Sequence, residues 1–362
     1  MKMMKVAIVG CAHGHFGQYC RQWNAHPEWG VTPVKCWDHD AARLQRVAND
    51  FKLEAVSDLD QLLADNDIDA FVIASETSMH ADLVEKVVPL KKPVALQKPM
   101  ALTMAEADRI VNAVNVAGCP FTMLWQMRVD PQNLRMKELI ESGAIGKIYQ
   151  FRRYHNLGMA LDKRNATLWH FVPELNRSIW ADDSAHPIDL IHWLFGMPQS
   201  ITAETATLCH PEMTDDNGVA IFRYPNGPLV EVVCSFTAAA AEVSTEIYGD
   251  NGYVVQRYGD GVTSPLPRAE GAVGLRYFVK SENAWHDVLD IPSPNSQAVR
   301  IGGLALPQAE FFHGNRGPIC TAEEGRDSLR LVLATIVSSV EGRRVRPDDP
   351  AIDKLPPPRP RG

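Results

Sequence analysis

Residues 4–15 read MKVAIVGCAHGH, and this stretch decides the fold that the sequence predicts. The apolar run Val6–Val9 has the length of a buried strand, and a glycine-containing turn joins it to a helical segment at Phe16–Trp23. The turn is an imperfect G-x-G-x-x-G pattern, because Ala12 and His15 stand at the second and third glycine positions. A strand, this turn and a helix in succession predict a site for a dinucleotide, whose pyrophosphate lies at the helix N-terminus.

The end of the second predicted strand, Val31–Trp37, indicates which dinucleotide is bound. Asp38 follows this strand, where a carboxylate accepts hydrogen bonds from the adenosine ribose and repels the 2′-phosphate of NADP. NAD is therefore predicted and NADP is disfavoured, although His39 and Arg43 would soften the preference. We expect Asp38→Ser to narrow the difference between the two affinities. The predicted contacts from the turn are Gly10, Cys11, Ala12, His13, Gly14 and His15.

Strand and helix patterns alternate through the first third of the chain. Further strands are predicted at Ala70–Ala74 and Pro93–Leu96, and helices at Ala41–Asn49, Ser78–Val88 and Thr103–Ala117. Thr103 with Glu106 three residues later forms a capping box at the start of the last helix. Short apolar strands alternating with helices predict an α/β Rossmann domain with a doubly wound parallel sheet.

The pattern changes after about residue 125. Pro225-Asn226-Gly227 and Asp250-Asn251-Gly252 each separate two strand-like runs, and Asn-Gly favours the positive φ angles of tight hairpin turns. These hairpins predict a C-terminal α+β domain with a large, mostly antiparallel open sheet. A helix at Ala322–Glu341 precedes a proline-rich tail that is predicted to be extended or disordered. The predicted domains are residues 1–125, 126–346 and, as the tail, 347–362.

Composition excludes several classes of protein. The 362 residues are 45% hydrophobic and carry a formal net charge of −8, which disfavours nucleic acid or an anionic membrane as a partner. The apolar runs are strand-sized and no export segment is recognised, so a cytoplasmic protein is expected. The seven cysteines are scattered without metal-ligand spacing, so we expect neither a disulfide framework nor a zinc site.

Three further segments occur in a specific order, two of them after predicted strands and the third leading into a predicted helix. They are SETSMH at 75–80, QKP at 97–99 and WADDSAHPID at 180–189. Together with the opening turn, they resemble the Gfo/Idh/MocA family of sugar and inositol dehydrogenases. The resemblance covers nearly the whole chain, including RVDP at 128–131, SGAIGK at 142–147 and EGRR at 341–344.

The resemblance implies roles for individual residues. Family members carry E-K-P at the position of Gln97-Lys98-Pro99, and D-x-x-x-H-x-x-D at the position of Asp182, His186 and Asp189. A catalytic trio of Lys98, Asp182 and His186 is therefore implied. The implied substrate contacts are Lys98, Arg128, His155, Asp182, His186 and Asp189. The implied cofactor contacts, besides the turn and Asp38, are His39, Arg43, Ser75, Glu76, His80, Gln97, Lys98 and Arg128. Three departures stand out: Gln97 replaces Glu, Glu76 replaces Pro, and Ser184 replaces Gly.

The chemistry of alcohol oxidation suits the implied trio. A histidine is a competent base at neutral pH, and Pro187 places His186 in the first turn of a helix, where the dipole disfavours the imidazolium. Asp182 would orient that ring, and Lys98 would hydrogen-bond the developing alkoxide. The alternative is that Asp182 and its neighbours only cap the helix.

Two other sets of residues lie near these segments. Asp182, Asp183, His186, Asp189 and His192 would also suit a metal ion, but no metal is predicted because His186 and Asp189 already have the roles above. Trp125, Trp169, Trp180 and Trp193 lie near the same segments, and indole faces stack on sugars. We expect one or two of these tryptophans, among them Trp169, to face the substrate.

The predicted function is NAD-dependent hydride transfer at a secondary alcohol of a sugar, glycoside or cyclitol. Two alternatives stay open: an NAD-dependent glycoside hydrolase on the same scaffold, and a non-catalytic sensor that keeps the nucleotide fold. The small-molecule, sugar-like substrate is the expected partner. An open C-terminal sheet face also predicts a homodimer or homotetramer joined through that sheet.

Overall fold

The computed structural model describes residues 2–239, 243–257 and 271–358, which form two compact units. The first unit holds the described chain up to Gln126 together with Ile301–Leu329, and the second holds the rest. The segment Ile301–Leu329, which the sequence analysis placed in the second domain, thus groups with the first. One physical reason is Trp23, whose Nε1 donates to the carbonyl of Ala305 at 2.9 Å while its ring packs against another aromatic of that segment.

Six parallel strands form the sheet of the first unit, in the order β3-β2-β1-β4-β5-β6. They are β1 Met4–Val9, β2 Val31–Trp37, β3 Glu54–Ala55, β4 Ala70–Ile73, β5 Val94–Gln97 and β6 Phe121–Leu124. The inner strands are almost entirely buried, as in a parallel sheet covered on both faces. The predicted doubly wound sheet is confirmed. Its strand order reverses between β1 and β4, and ligands of such sheets bind at the carboxyl ends beside this point.

The helices of the first unit largely follow the predicted segments. Those that alternate with its strands are α1 Phe16–Ala25, α2 Ala41–Phe51, α3 Leu59–Leu63, α4 His80–Val87 and α5 Met104–Ala117. The predicted capping box is present, since Thr103 Oγ1 accepts from the Glu106 N–H at 3.2 Å and Glu106 Oε2 accepts from the Thr103 N–H at 3.0 Å. These local signals therefore position the ends of the strands and helices that surround the dinucleotide turn.

Eight strands of the described chain form the sheet of the second unit, in the order β14-β13-β12-β11-β7-β10-β9-β8. They are β7 Ile148–Asn156, β8 Ser200–Ala206, β9 Asn217–Arg223, β10 Leu229–Ser235, β11 Val243–Gly249, β12 Gly252–Gln256, β13 Leu275–Val279 and β14 Ala284–Asp287. The predicted mostly antiparallel sheet is confirmed, but β7 lies between the two predicted hairpins and runs parallel to β10. No local pattern could have shown this, because β7 pairs with strands far away in the sequence.

One face of this sheet is buried and the other carries exposed apolar side chains. Along β10, Val230, Val232 and Cys234 are buried and alternate with more exposed residues. The opposite face of β9 and β10 presents Val219, Ile221 and Leu229, which are 40–48% exposed. We call these three residues the outer apolar patch. It lies on the sheet through which the sequence predicts self-association.

The remaining helices are α6 Pro131–Glu141, α7 Pro173–Asn176, α8 Ile179–Asp183, α9 Ala185–Phe195, α10 Gln297–Gly302, α11 Ala305–Phe312, α12 Ala322–Glu341 and α13 Pro350–Asp353. Trp180 of α8 is fully buried, and its ring lies so close to Gly218 of β9 that a Cβ on that glycine would be 2.4 Å from the indole. Trp180 Nε1 also donates to Thr335 Oγ1 at 2.8 Å. Trp180 is thus a core residue that fixes α8 on the sheet, and not a substrate-facing indole.

The prediction that Asn-Gly supplies positive φ angles holds in only one of the two hairpins. Asn226 has a φ of 54°, whereas neither Asn251 nor Gly252 has a positive φ. At the second turn, side-chain bonds to the segment before β7 take over: Asp250 Oδ1 accepts from the Lys147 N–H at 2.9 Å, and Asn251 Nδ2 donates to the Ala144 carbonyl at 3.0 Å. That turn is held by tertiary contacts and not by its own dihedral preference.

The predicted extended tail is wrong for its first part. Val345 bridges to Ile201, and α13 follows with Ile352 fully buried and Asp353 bonded to Arg330 at 2.6 Å. Burial of one isoleucine and this ion pair hold the segment on the second unit. Residues 355–358 form neither helix nor strand, and residues 359–362 lie outside the described chain.

Two observations concern membrane-spanning helices and the cysteines. In the described parts of the chain, no helix is long and apolar enough to cross a bilayer. All seven cysteines are free thiols, and six of them are buried while Cys209 is partly exposed.

Candidate functional site

The glycine-containing turn after β1 is held between the ends of β2 and β4. Gly10 has a φ of 76°, and a Cβ built on it would lie 2.5 Å from the Cβ of Ser75, so only glycine fits. The Gly10 N–H donates to the Trp37 carbonyl at 2.8 Å, and the His13 N–H donates to the Ala74 carbonyl at 2.9 Å. Gly14, in contrast, has open space where a Cβ would lie.

The turn leads into α1, and the positive end of the helix dipole at the N-terminus of α1 favours a bound anion. Its first turn contains no acidic residue, and no side-chain cap bond is made at His15. The half-positive end of the helix dipole is therefore not neutralised by an acidic residue in the first turn of α1. The rings of His13 and His15 meet edge to face, with centroids 4.3 Å apart. This is the place where the sequence predicts the pyrophosphate.

Asp38 is buried and already has a full set of donors. Its Oδ2 accepts from the Cys11 N–H at 2.6 Å and from Arg43 Nε at 2.8 Å, while Oδ1 accepts from the Asp40 N–H and from Arg43 Nη2, both at 2.8 Å. A carboxylate has about four acceptor positions, and these bonds fill them. Cys11, predicted as a cofactor contact, thus uses its N–H to anchor the turn to Asp38.

Arg43 connects Asp38 to a second carboxylate, that of Glu76. Arg43 Nη2 lies 2.8 Å from Glu76 Oε1, and His39 Nε2 lies 3.2 Å from Glu76 Oε2. Burial would lower the pKa of Arg43, but its hydrogen bond to Asp38 and the charges of both acids raise that pKa above its ordinary value. The sequence pointed to Asp38, His39, Arg43 and Glu76 one by one. That the four side chains form one cluster is seen only in the structure.

The segment after β5 contains Gln97 and Lys98, both buried. Gln97 Nε2 donates to the Tyr19 hydroxyl of α1 at 2.7 Å, and Lys98 is only 2% exposed. His80, the first residue of α4, donates from Nδ1 to the Pro99 carbonyl at 2.9 Å. Burial lowers the pKa of His80 to about 4, which keeps the ring neutral. His80, predicted as a cofactor contact, therefore holds the lysine segment in place.

Two observations test whether this edge of the sheet fits a dinucleotide. Gly10 packs so tightly against Ser75 that the turn after β1 lies directly against the segment that follows β4. The Oε1 atom of Gln97 is buried and, within the described chain, has no hydrogen-bond partner. A close glycine turn, a helix N-terminus without an acidic residue in its first turn and a polar atom with spare capacity suit a bound dinucleotide.

In the second unit, the predicted motif occupies the junction of α8 and α9. Ser178 caps α8, which contains Asp182, and His186 is the second residue of α9, as predicted. Ser184 joins the two helices and makes no side-chain cap bond to α9, since its Oγ donates to the Trp180 carbonyl. Ser184, the residue directly before α9, therefore does not cap that helix with its side chain.

Asp182 has a partner that the sequence analysis missed. Its Oδ2 lies 2.6 Å from His170 Nδ1, and the His170 ring stacks on Trp169 with centroids 4.0 Å apart. The Asp182 carboxylate is buried, while the His170 side chain is 24% exposed. The only sequence feature that pointed to His170 was its position next to Trp169. The contact between His170 and Asp182 joins two different helical segments, so no local pattern predicts it.

His186 is buried beside a second histidine and a second acid. Its Nε2 lies 3.7 Å from Asp183 Oδ1, and its ring centroid lies 6.0 Å from that of His155 on β7. The structure thus brings together His155 and His186, which the family resemblance named separately. These neutral or cationic rings beside carboxylates form a cluster that can take up and release a proton.

Arg128 and Asp189 are paired with each other. Arg128 Nε lies 3.0 Å from Asp189 Oδ2, and Nη2 lies 2.9 Å from Oδ1, in a bidentate pair whose side chains are 2% and 0% exposed. Both were expected to face the substrate, and Arg128 also the cofactor. Their mutual bonding gives them at least one structural task. Among the described residues, no group of three or more His, Cys, Asp or Glu side chains is placed to hold a metal ion.

Comparison with protein families accounts for both units. Residues 4–124 match the family described as oxidoreductases with an NAD-binding Rossmann fold, and residues 133–255 match the GFO/IDH/MocA C-terminal domain. The chain belongs to the Gfo/Idh/MocA family. The resemblance inferred from the sequence is thus confirmed, and the first unit is the NAD-binding domain of this family.

Curated relatives of the family include two inositol dehydrogenases. The chain is 31% identical over 234 residues to inositol 2-dehydrogenase of Acidothermus cellulolyticus, covering 62% of this chain and 65% of that protein. It is 30% identical over 259 residues to inositol 2-dehydrogenase 2 of Saccharopolyspora erythraea, covering 69% of this chain and 72% of that protein. The chain therefore spans somewhat less than two thirds of the first relative and somewhat more of the second.

Solved structures of the family share the fold over nearly the whole chain. Levoglucosan dehydrogenase in complex with NADH and levoglucosan has a TM-score of 0.81 at 20% identity, over 96% of this chain and all of that chain. An oxidoreductase from Agrobacterium radiobacter in complex with NAD⁺, L-tartaric acid and magnesium has a TM-score of 0.79 at 23% identity, over 96% and 99%. At these identities the likeness concerns the fold.

Proposed function

We propose that this protein is an NAD-dependent dehydrogenase that acts on a secondary alcohol of a sugar, glycoside or cyclitol. The observation that carries the proposal is the buried His186 in the first turn of α9, directly after the helix that holds Asp182, in a chain whose first unit is the NAD-binding domain of the family. The names of the relatives, inositol 2-dehydrogenase and levoglucosan dehydrogenase, support a polyol or sugar substrate.

The residues of the first unit that would hold the dinucleotide lie at the carboxyl edge of its sheet. The turn from Gly10 to His15 and the N-terminus of α1 would hold the pyrophosphate. The adenosine ribose would lie at the end of β2, where its hydroxyl groups would replace one of the four donors that Asp38 has in this structure. NAD supplies the hydride acceptor when it is bound. Lys98, kept in place by His80 and β5, would donate a hydrogen bond to the substrate oxygen as negative charge develops there.

The residues of the second unit would move the substrate proton. His186 accepts the hydroxyl proton while the carbonyl forms, a role worth about 10²–10⁴-fold in rate. Asp182 stabilises positive charge near this base, and His170, which is bonded to Asp182 and partly exposed, keeps that carboxylate oriented. His155 and Trp169 lie beside these groups and would contact the substrate.

The test is a panel of sugars and inositols assayed with NAD by the absorbance of NADH. With the best substrate, we expect Lys98→Ala and His186→Ala each to lower turnover by about two orders of magnitude or more. His186→Ala should leave NADH affinity nearly unchanged, because the predicted dinucleotide contacts are in the first unit. Lys98→Ala should weaken the binding of NADH slightly.

His192→Gln provides the matched control, because His192 lies on the same helix as His186 and has no assigned role in the reaction. Its turnover should stay close to that of the unaltered protein. The proposal fails if a leaving group is released from a glycoside without accumulation of NADH, or if Lys98→Ala and His186→Ala both retain full turnover.

A further inference from the structure

The side chain of Arg43 is held between two buried carboxylates at the adenosine end of the predicted dinucleotide site. Its guanidinium makes two bonds to Asp38 and one of 2.8 Å to Glu76, and only 15% of the arginine side chain is exposed. Both acids are almost entirely buried. Two negative charges thus face one positive charge that is permanently protonated.

This arrangement bears on the choice between NAD and NADP. A 2′-phosphate is bound most readily by an arginine near the ribose, because the guanidinium fork matches the phosphate oxygens. Arg43 is the arginine beside Asp38, but its donors already point at carboxylates. With Asp38 as its only acidic partner, Arg43 could still turn an N–H group toward a phosphate. The bond to Glu76 occupies that group, so Glu76 determines how firmly the arginine is held.

We propose that Glu76 is a specificity-determining residue that secures the preference for NAD by holding Arg43 away from a 2′-phosphate and by adding a second negative charge at that point. Glu76 lies three residues after the end of β4, next to Ser75, against which the glycine turn is packed. His39 lies on the other side, with its Nε2 3.2 Å from Glu76 Oε2 and 3.0 Å from Arg43 Nη2. Nε2 donates to Glu76 when it carries a proton and accepts from Arg43 when it does not, so His39 lies against the Arg43–Glu76 pair in either case.

The experiment compares NADH and NADPH affinities by titration calorimetry for the unaltered chain and for Glu76→Gln. Removing one like charge a few ångströms from a phosphate is expected to tighten NADPH about tenfold. NADH should stay within about twofold, because NAD has no phosphate at this position. Glu76→Ala serves as a second variant. The affinity ratio is measured within each variant, so a loss of folded protein cancels from it.

Two further variants make the test specific. Asp50→Asn, at an exposed position of α2, changes the net charge equally and should leave the ratio unchanged. Adding Arg43→Met to Glu76→Gln should abolish the gain in NADPH affinity. The proposal is overturned if Glu76→Gln behaves like Asp50→Asn, if the gain survives without Arg43, or if the unaltered protein binds NADPH as tightly as NADH. None of these measurements involves the substrate or the proposed catalytic residues.

Discussion

Removing the charge of Asp189 should destabilise the second unit severely. The carboxylate is fully buried and receives two hydrogen bonds of 2.9 and 3.0 Å from Arg128, which is buried as well. Asp189→Asn keeps the shape of the side chain but removes the negative charge that pairs with the buried Arg128 guanidinium. Breaking a buried pair in this way costs about 3–5 kcal/mol, a large part of the 5–15 kcal/mol that typically separates folded from unfolded protein.

The assay is urea unfolding followed by tryptophan fluorescence, with the free energy of unfolding taken from midpoint and slope. The control is Arg128→Met combined with Asp189→Asn, which removes both charges. Because two neutral groups leave no unpaired charge, the double variant should be more stable than either single variant, with a coupling energy of about 2 kcal/mol or more.

A loss below about 1 kcal/mol for Asp189→Asn, the size of an ordinary neutral hydrogen bond, would refute this reasoning. The reasoning would also be refuted if the changes in the free energy of unfolding for the two single substitutions added up to that of the double variant. If in addition only the KM of the substrate rose, Asp189 would serve the substrate and not the fold, as the family resemblance implied.

Three further predictions follow from individual contacts. Since the pKa of His80 is lowered to about 4 in the folded protein, the unfolded chain takes up a proton first as the pH falls below 6.5. The free energy of unfolding should therefore drop by up to about 3 kcal/mol between pH 6.5 and 4, and His80→Gln should flatten that part of the urea-midpoint profile. His170→Phe should lower kcat about tenfold and move the pH profile of kcat/KM, because Asp182 loses its partner; an unmoved profile would make His170 purely structural. The unaltered protein should be a homodimer or homotetramer in light scattering, and Ile221→Lys in the outer apolar patch should dissociate it; a monomer at micromolar concentration would contradict the predicted interface.

Local patterns predicted most elements of the first unit, because each depends on neighbouring residues, but they missed β3, α3 and β6. The strand Val31–Trp37 and the helix Ala322–Glu341 have the predicted bounds, and the capping box of Thr103 forms as expected. Such features need only hydrophobic periodicity and short-range hydrogen bonds. The Asp250–Gly252 turn and the segment after Val345 were predicted less well, since contacts with distant residues hold both.

The candidate site shows the same division. Sequence order and spacing were enough to name the turn at Gly10, the lysine after β5 and the acid–histidine motif at the junction of α8 and α9 as candidates. These residues lie at strand ends and helix starts that the local pattern determines. Which side chains bond to which was decided only by the tertiary structure. His170 reaches Asp182, Arg128 reaches Asp189, and Arg43 joins Asp38 to Glu76. A buried charge must find its partner in space, and that partner need not be near in the sequence.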